Sequence, residues 1–212
     1  LFPYQVSEYR QNGYGRWQYG PGIPCEKRLD IMPAGYSGLS VTRAARHLHF
    51  FSLADPHLSD KESPAQATYF GYQGYLASAY TPAMLYTTQV LDAAVQTLNA
   101  LHEKKQFDFG ISLGDVVNNQ QHNELRWYID VMDGKTINPD SGIKDDRIPG
   151  IHNDYQDEYN AAGLSRQIPW YQVMGNHDRF WMGFLIANDY IDQTRVGEDI
   201  LNLGNIIVDS MK

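Results

Sequence analysis

Cysteine occurs once, at Cys25. A single thiol closes no disulfide within the chain and builds no cysteine-based zinc site, so Cys25 reads as a buried or inert thiol. Long apolar runs are missing too. A membrane-spanning helix needs about 18–20 successive apolar residues, and the longest apolar stretch, around Phe180 to Ala187, falls well short. Runs of basic residues are also missing: 17 Lys and Arg stand against 25 Asp and Glu, for a net charge of −8. Nonspecific binding to nucleic acid requires cations that neutralise phosphates. The composition therefore argues against a nucleic-acid partner, while a small phosphate-bearing substrate remains open if bound metal supplies positive charge locally.

What is present is enough for a core. The 212 residues are 42% hydrophobic, which fits one domain carrying an insertion. Residues 1–46, with stretches such as QNGYGRWQYGPGIP, read as an irregular aromatic-rich arm. Residues 47–212 read as the domain proper. HLHFFSLADPH (47–57) predicts a buried strand ending at Asp55. Thr81-Pro82 looks like a helix cap and first-turn proline. Leu91, Val95, Leu98 and Leu101 follow at helical spacing, and a helix is predicted over 82–104. FDFGISLGDVV (107–117) predicts a second strand, 121–132 a second helix, 168–174 a third strand and 180–193 a further helix. Residues 133–163, rich in Gly, Pro and Asp, read as an insertion that shapes specificity. Strands alternating with helices argue an α/β sheet with parallel neighbours, whose ligand sites lie beyond the carboxyl ends of the strands.

Each predicted strand ends in residues of metal-binding type. The first ends in Asp55-Pro56-His57, the second in Gly114-Asp115, the third in Gly175-Asn176-His177-Asp178. In extended chain, residues two apart point the same way, so Asp55 and His57 could grip one cation together. Asp115 has two oxygens and could bridge two cations. Asn176 offers a carbonyl oxygen, and Gly175 permits a sharp turn. Mixed oxygen and imidazole donors suit manganese, iron or zinc. Each block alone is weak; turn chemistry at strand ends favours Asp, Asn and Gly anyway. Three blocks in this order, each behind an apolar strand, are a strong signal. Asn118 and Asn119 read equally as substrate contacts or turn residues. Arg179 reads as a surface salt-bridge residue, His47 and His49 as structural, His102 as solvent-facing, and His122 and His152 as loop histidines.

With DPH, GD and GNHD in that order, the chain resembles the calcineurin-like metallophosphoesterase superfamily over roughly residues 47–190, with the longer gaps of subgroups that carry insertions. The resemblance implies a four-layer α/β/β/α sandwich, of which this chain would be the amino-terminal part. It implies two divalent metal ions, with Asp55 and His57 on the first, Asp115 bridging and Asn176 on the second. His177 would contact the phosphoryl group or protonate the leaving oxygen, and Asp178 would orient His177. The activity implied is hydrolysis of a phosphomonoester or phosphodiester by metal-bound hydroxide. Exported members of the family, together with the tyrosine-rich arm, favour a secreted or periplasmic protein.

The chain departs from the family pattern in one respect. No histidine follows His177, whereas the family adds a lone His and a G-H-x-H block, so four of seven expected ligands are present. The remainder would come from a segment beyond Lys212 or from a second chain. The alternative reading is an incomplete or degenerate domain that serves as a non-catalytic metal-binding or interaction module.

Overall fold

A computed structural model describes residues 2–13, 18–24, 26–39, 45, 47–66, 80–143, 146 and 148–196. The reading of Cys25 lies outside the described residues. In chain order the elements are β1 (Phe50–Leu53), a 3-10 turn (Pro82–Tyr86) running into α1 (Thr87–Lys104), β2 (Phe109–Ser112) and α2 (His122–Asp133). Then come β3 (Thr136–Ile137), β4 (Tyr159–Asn160), β5 (Trp170–Gln172) and α3 (Asp189–Thr194). Strands β1, β2 and β5 form one parallel sheet with β2 in the middle, and β3 pairs with β4 in a small antiparallel ribbon. The protein is a mixed α/β fold built on a parallel sheet.

Local sequence explains most of these elements. On α1, Leu91 and Val95 are buried and Leu98 and Leu101 pack against the same core, which also holds Phe51, Trp127, Tyr128 and Val131. The start of α1 differs from expectation. Thr81 makes no side-chain cap bond, Pro82–Tyr86 wind as a 3-10 turn, and the α-helix begins at Thr87. Helix α2 has a capping box, Gln121 with Glu124, and ends at Gly134 in the left-handed conformation. His102 does not face solvent: it is buried, and its Nδ1 accepts from the Phe107 amide at 3.0 Å. The two ends of the insertion are tied by the β3–β4 ribbon, and its Ile137, Tyr159 and Ala161 join the core. The helix predicted over 180–193 shrinks to α3. Met182 and Gly183 take positive φ, at 53° and 79°, and Trp181 and Leu185 close a tight turn instead. The N-cap of α3 is Asn188, whose side chain accepts from the Ile191 amide.

The three sheet strands are shorter than predicted, and behind β1 and β2 the backbone leaves the extended region. Asp55, His57 and Asp115 all have positive φ, at 54°, 45° and 51°. The ladder then resumes at the Leu58–Val117 bridge, in the register that already paired Leu53 with Ser112. Both chains therefore bulge in step, and the candidate ligands sit in the bulge. The opposite face of the sheet carries apolar side chains in the open: Phe50, Leu113, Tyr171 and Val173 are all exposed, and Phe50 stacks on Phe109 at 4.9 Å.

Candidate metal centre

Backbone hydrogen bonds hold the three strand-end loops together. Asp55 N donates to Gly114 O at 3.2 Å and His57 N to Asp115 O at 3.0 Å. Between the second and third loops the approach is closer than a methyl group allows. A Cβ on Gly175 would lie 2.1 Å from Asp115 Oδ1, and one on Gly114 would lie 2.3 Å from Gly175 N. Gly175 thus serves the site through space rather than through an unusual φ; Gly114 serves through both, with φ of 100°.

The side chains gathered by this packing are His57, Asp115 and His177, each offering one donor atom within 4.8 Å of the others. Asp55 joins from the rim, its Oδ1 3.8 Å from His57 Nε2, while Asp115 Oδ2 lies 3.9 Å from the same nitrogen. Asp55 and His57 converge because both residues are left-handed, not because an extended strand alternates its side chains as the sequence pattern implied. Non-glycine residues in this region cost on the order of 1 kcal/mol each or more and cluster at functional sites. Asn176 is exposed, and its amide nitrogen donates to Gly183 O at 3.1 Å. That leaves the carbonyl oxygen as its metal-type donor.

One residue sets both imidazoles. Asn118 is fully buried. Its Nδ2 donates to Gln66 Oε1 at 3.1 Å, so its Oδ1, 3.1 Å from His57 Nδ1, is an acceptor. The Asn118 carbonyl oxygen lies 2.8 Å from His177 Nδ1. Both Nδ1 atoms therefore carry the proton, and both Nε2 atoms present lone pairs. The two rings meet edge to face at 4.5 Å. Burial first, and then the neighbouring His177, pull the His57 imidazole below its ordinary pKa, with partial opposition from Asp115, Asn118 and Asp55. A neutral imidazole is the form that binds metal.

Asp178 has a different place from the one expected. Its carboxylate accepts four backbone N–H groups, from Asp115, Val116, Val117 and Gly175, at 2.8–3.2 Å. No described hydrogen bond joins it to His177; that ring is held by Asn118. Nor does Asp178 cap a following helix, since the chain turns at Trp181. Asp115 is anchored in turn, its Oδ1 accepting from the His177 amide at 2.8 Å.

Asn119 is also fully buried, donating to Gln66 Oε1 at 2.7 Å, so neither asparagine faces a substrate. Arg179 is exposed, its guanidinium 5.7 Å from the Phe180 ring. His49 is bound to Gln106 O and stacks on Phe107, apart from the cluster. Among the described residues this is the one group of three or more His, Cys, Asp or Glu donors gathered closely enough for a metal ion, and no helix is long and apolar enough to cross a membrane. The role of Asn118 had one trace in the sequence, its position three residues after Asp115; nothing in the pattern tied it to both histidines.

Comparison with protein-family profiles, with curated proteins and with solved structures finds no match.

Proposed function

We propose that this chain is a metal-dependent phosphoesterase of the calcineurin-like metallophosphoesterase kind, acting on a phosphomonoester or phosphodiester. The observation that carries the reading is the convergence of Asp55, His57, Asp115 and His177 at the carboxyl edge of a parallel sheet, with both Nε2 lone pairs free to ligate. Two imidazoles and carboxylate oxygens fit manganese, iron or zinc. His57, Asp115 and His177 would hold one cation, with Asp55 at its rim. A second would draw on Asp115 and Asn176 and needs further donors. Bound there, divalent cations supply charge neutralisation for a phosphoryl group and an acidified water. The chain itself supplies the frame. Asn118 holds both rings in one tautomer, Asp178 fixes the loop that carries Asp115, and the Gly114–Gly175 contact sets the spacing. If His177 is left free of metal, its Nε2 is placed to contact the phosphoryl group or hand a proton to a leaving oxygen.

The four-layer sandwich belongs to the same proposal. A parallel sheet is ordinarily covered on both faces, and the exposed Phe50, Leu113, Tyr171 and Val173 would lie under its second sheet.

The test is metal binding by calorimetry, with release of p-nitrophenol from p-nitrophenyl phosphate and its bis ester with and without Mn²⁺. Binding and turnover, both lost in His57→Ala and Asp115→Ala, are expected. A second reading, a metal-binding module without turnover, is favoured by there being, among the described residues, one three-donor group rather than two. Binding without turnover under any divalent metal would establish it, and absence of binding would end both.

A further inference from the structure

The candidate ligands line more than the metal cluster. A cavity of about 500 Å³ lies between the Asp55–His57 turn and the 3-10 turn that runs into the first turn of α1. Its volume is within the range of about 300–1,000 Å³ typical of small-ligand pockets. One wall is Asp55, Pro56 and His57; the other is Ala83, Met84, Thr87 and Val90. The two walls are tied together, since Ser59 N donates to Thr87 Oγ1 at 3.1 Å. That bond occupies an acceptor site of the one hydroxyl on the helix wall. What remains of that wall is hydrocarbon: Met84 is buried, and Val90 is 55% exposed. Among the described residues no Lys or Arg lines the cavity, and its charged groups are the two candidate ligands themselves.

The apolar surface continues past Val90. A second cavity, of about 300 Å³, shares Val90 and is walled by Ala93, Ala94 and Thr97 of α1 and by Phe2, Pro3 and Tyr9 of the arm. The arm is held here by Val6 and Tyr9, which are buried in the main core. The apolar wall of the first cavity thus forms a furrow that begins at Asp55 and His57 and runs along Met84 to Val90, a residue the second cavity shares. A sugar or nucleoside would find on this wall a single side-chain partner, the Thr87 hydroxyl; an alkyl chain needs none.

Resting on the phosphoesterase reading, we propose that this furrow seats the alcohol part of the substrate, and that the substrate is a phosphate ester of an alkyl alcohol rather than of a sugar or nucleoside. The phosphoryl group would lie at the cluster and the chain along Met84 and Val90.

The test compares non-hydrolysable probes by calorimetry in the presence of Mn²⁺: methylphosphonate, hexylphosphonate and glucose 6-phosphonate. In parallel, phosphate release is measured from methyl phosphate and hexyl phosphate. Hexylphosphonate is expected to bind about thirtyfold tighter than methylphosphonate, from roughly a twofold gain per methylene in a furrow that leaves part of the chain wet. In Val90→Asp the gain should fall below about fivefold, since a carboxylate then faces the chain, while Val90→Leu should retain it. Equal binding of the two alkyl probes, tighter binding of the glucose probe, no binding of any probe, or an undiminished gain in Val90→Asp would each overturn the proposal. Phosphate release at rates independent of chain length would overturn it and leave the phosphoesterase reading standing. Chain-length-dependent binding without phosphate release would support the furrow and overturn the phosphomonoesterase reading.

Discussion

Two carboxylates grip the same loop from opposite ends. Asp178 accepts N–H groups from Asp115, Val116, Val117 and Gly175. Glu124 accepts from the amides of Asp60, Asn119 and Gln121 and from Gln66 Nε2. Each collects four donors, two on each oxygen, and the segment Asp115–Gln121 is stretched between them. The difference lies in their surroundings. Glu124 is fully buried, and burial pushes its pKa up to about 7 despite three backbone donors. Asp178 is half-buried beside the cluster. One device thus does two jobs: Glu124 caps α2 and locks the loop to the core, while Asp178 aligns the loop with the Gly175 turn beside it.

Removing the carboxylates should separate those jobs. Asp178→Ala orphans four N–H groups and is expected to cost roughly 3–4 kcal/mol in urea unfolding. It should also abolish Mn²⁺ binding measured by calorimetry. Retention of wild-type affinity would mean that the loop finds its position without Asp178.

Glu124 predicts a pH effect. Its pKa is raised from 4.5 to about 7, so between those values the folded chain keeps a proton that the unfolded chain releases. Its contribution is complete below pH 4.5 and is lost as pH rises through about 7. The loss is on the order of 3 kcal/mol. Burial raises Asp92 in the same direction. Urea midpoints should therefore fall between pH 5 and 8, and Glu124→Gln should flatten the fall while leaving Mn²⁺ affinity intact. A flat wild-type profile would place an ionised carboxylate at Glu124 throughout.

The remaining tests address the alignment itself. Gly175→Ala puts a methyl carbon 2.3 Å from the Asp115 amide nitrogen, so the loops must part. The expected cost is roughly 2 kcal/mol, with weakened Mn²⁺ binding; a neutral result would show that the contact is slack. Asn118→Ala should have the smallest effect on stability, about 1 kcal/mol. It frees the His57 ring, though, while the backbone carbonyl of residue 118 still holds His177, and should lower Mn²⁺ affinity by about tenfold. An unchanged affinity would assign ring orientation to packing alone.

Much of the frame was legible in the chain. The stripe Leu91, Val95, Leu98, Leu101 marked α1, and apolar runs ahead of DPH, GD and GNHD marked the three strands in order. Other features were not. His102 looked exposed because one residue on a helix carries no signal of what packs over it. Helix 180–193 failed because Met182 and Gly183 turn left-handed around a fully buried Trp181. The tasks of Asn118, Glu124 and Asp178 were hidden because each joins loops far apart in the chain.

The sequence by itself determined which residue types stand at the ends of the strands, since hydrophobic periodicity and turn chemistry are local. Only the tertiary structure decided how those residues meet. The left-handed backbone at Asp55, His57 and Asp115 is held by parallel pairing across distant segments, and the tautomers of two histidines are set by a third residue that neither adjoins. Such contacts arise when the sheet closes, and no short window of sequence contains them.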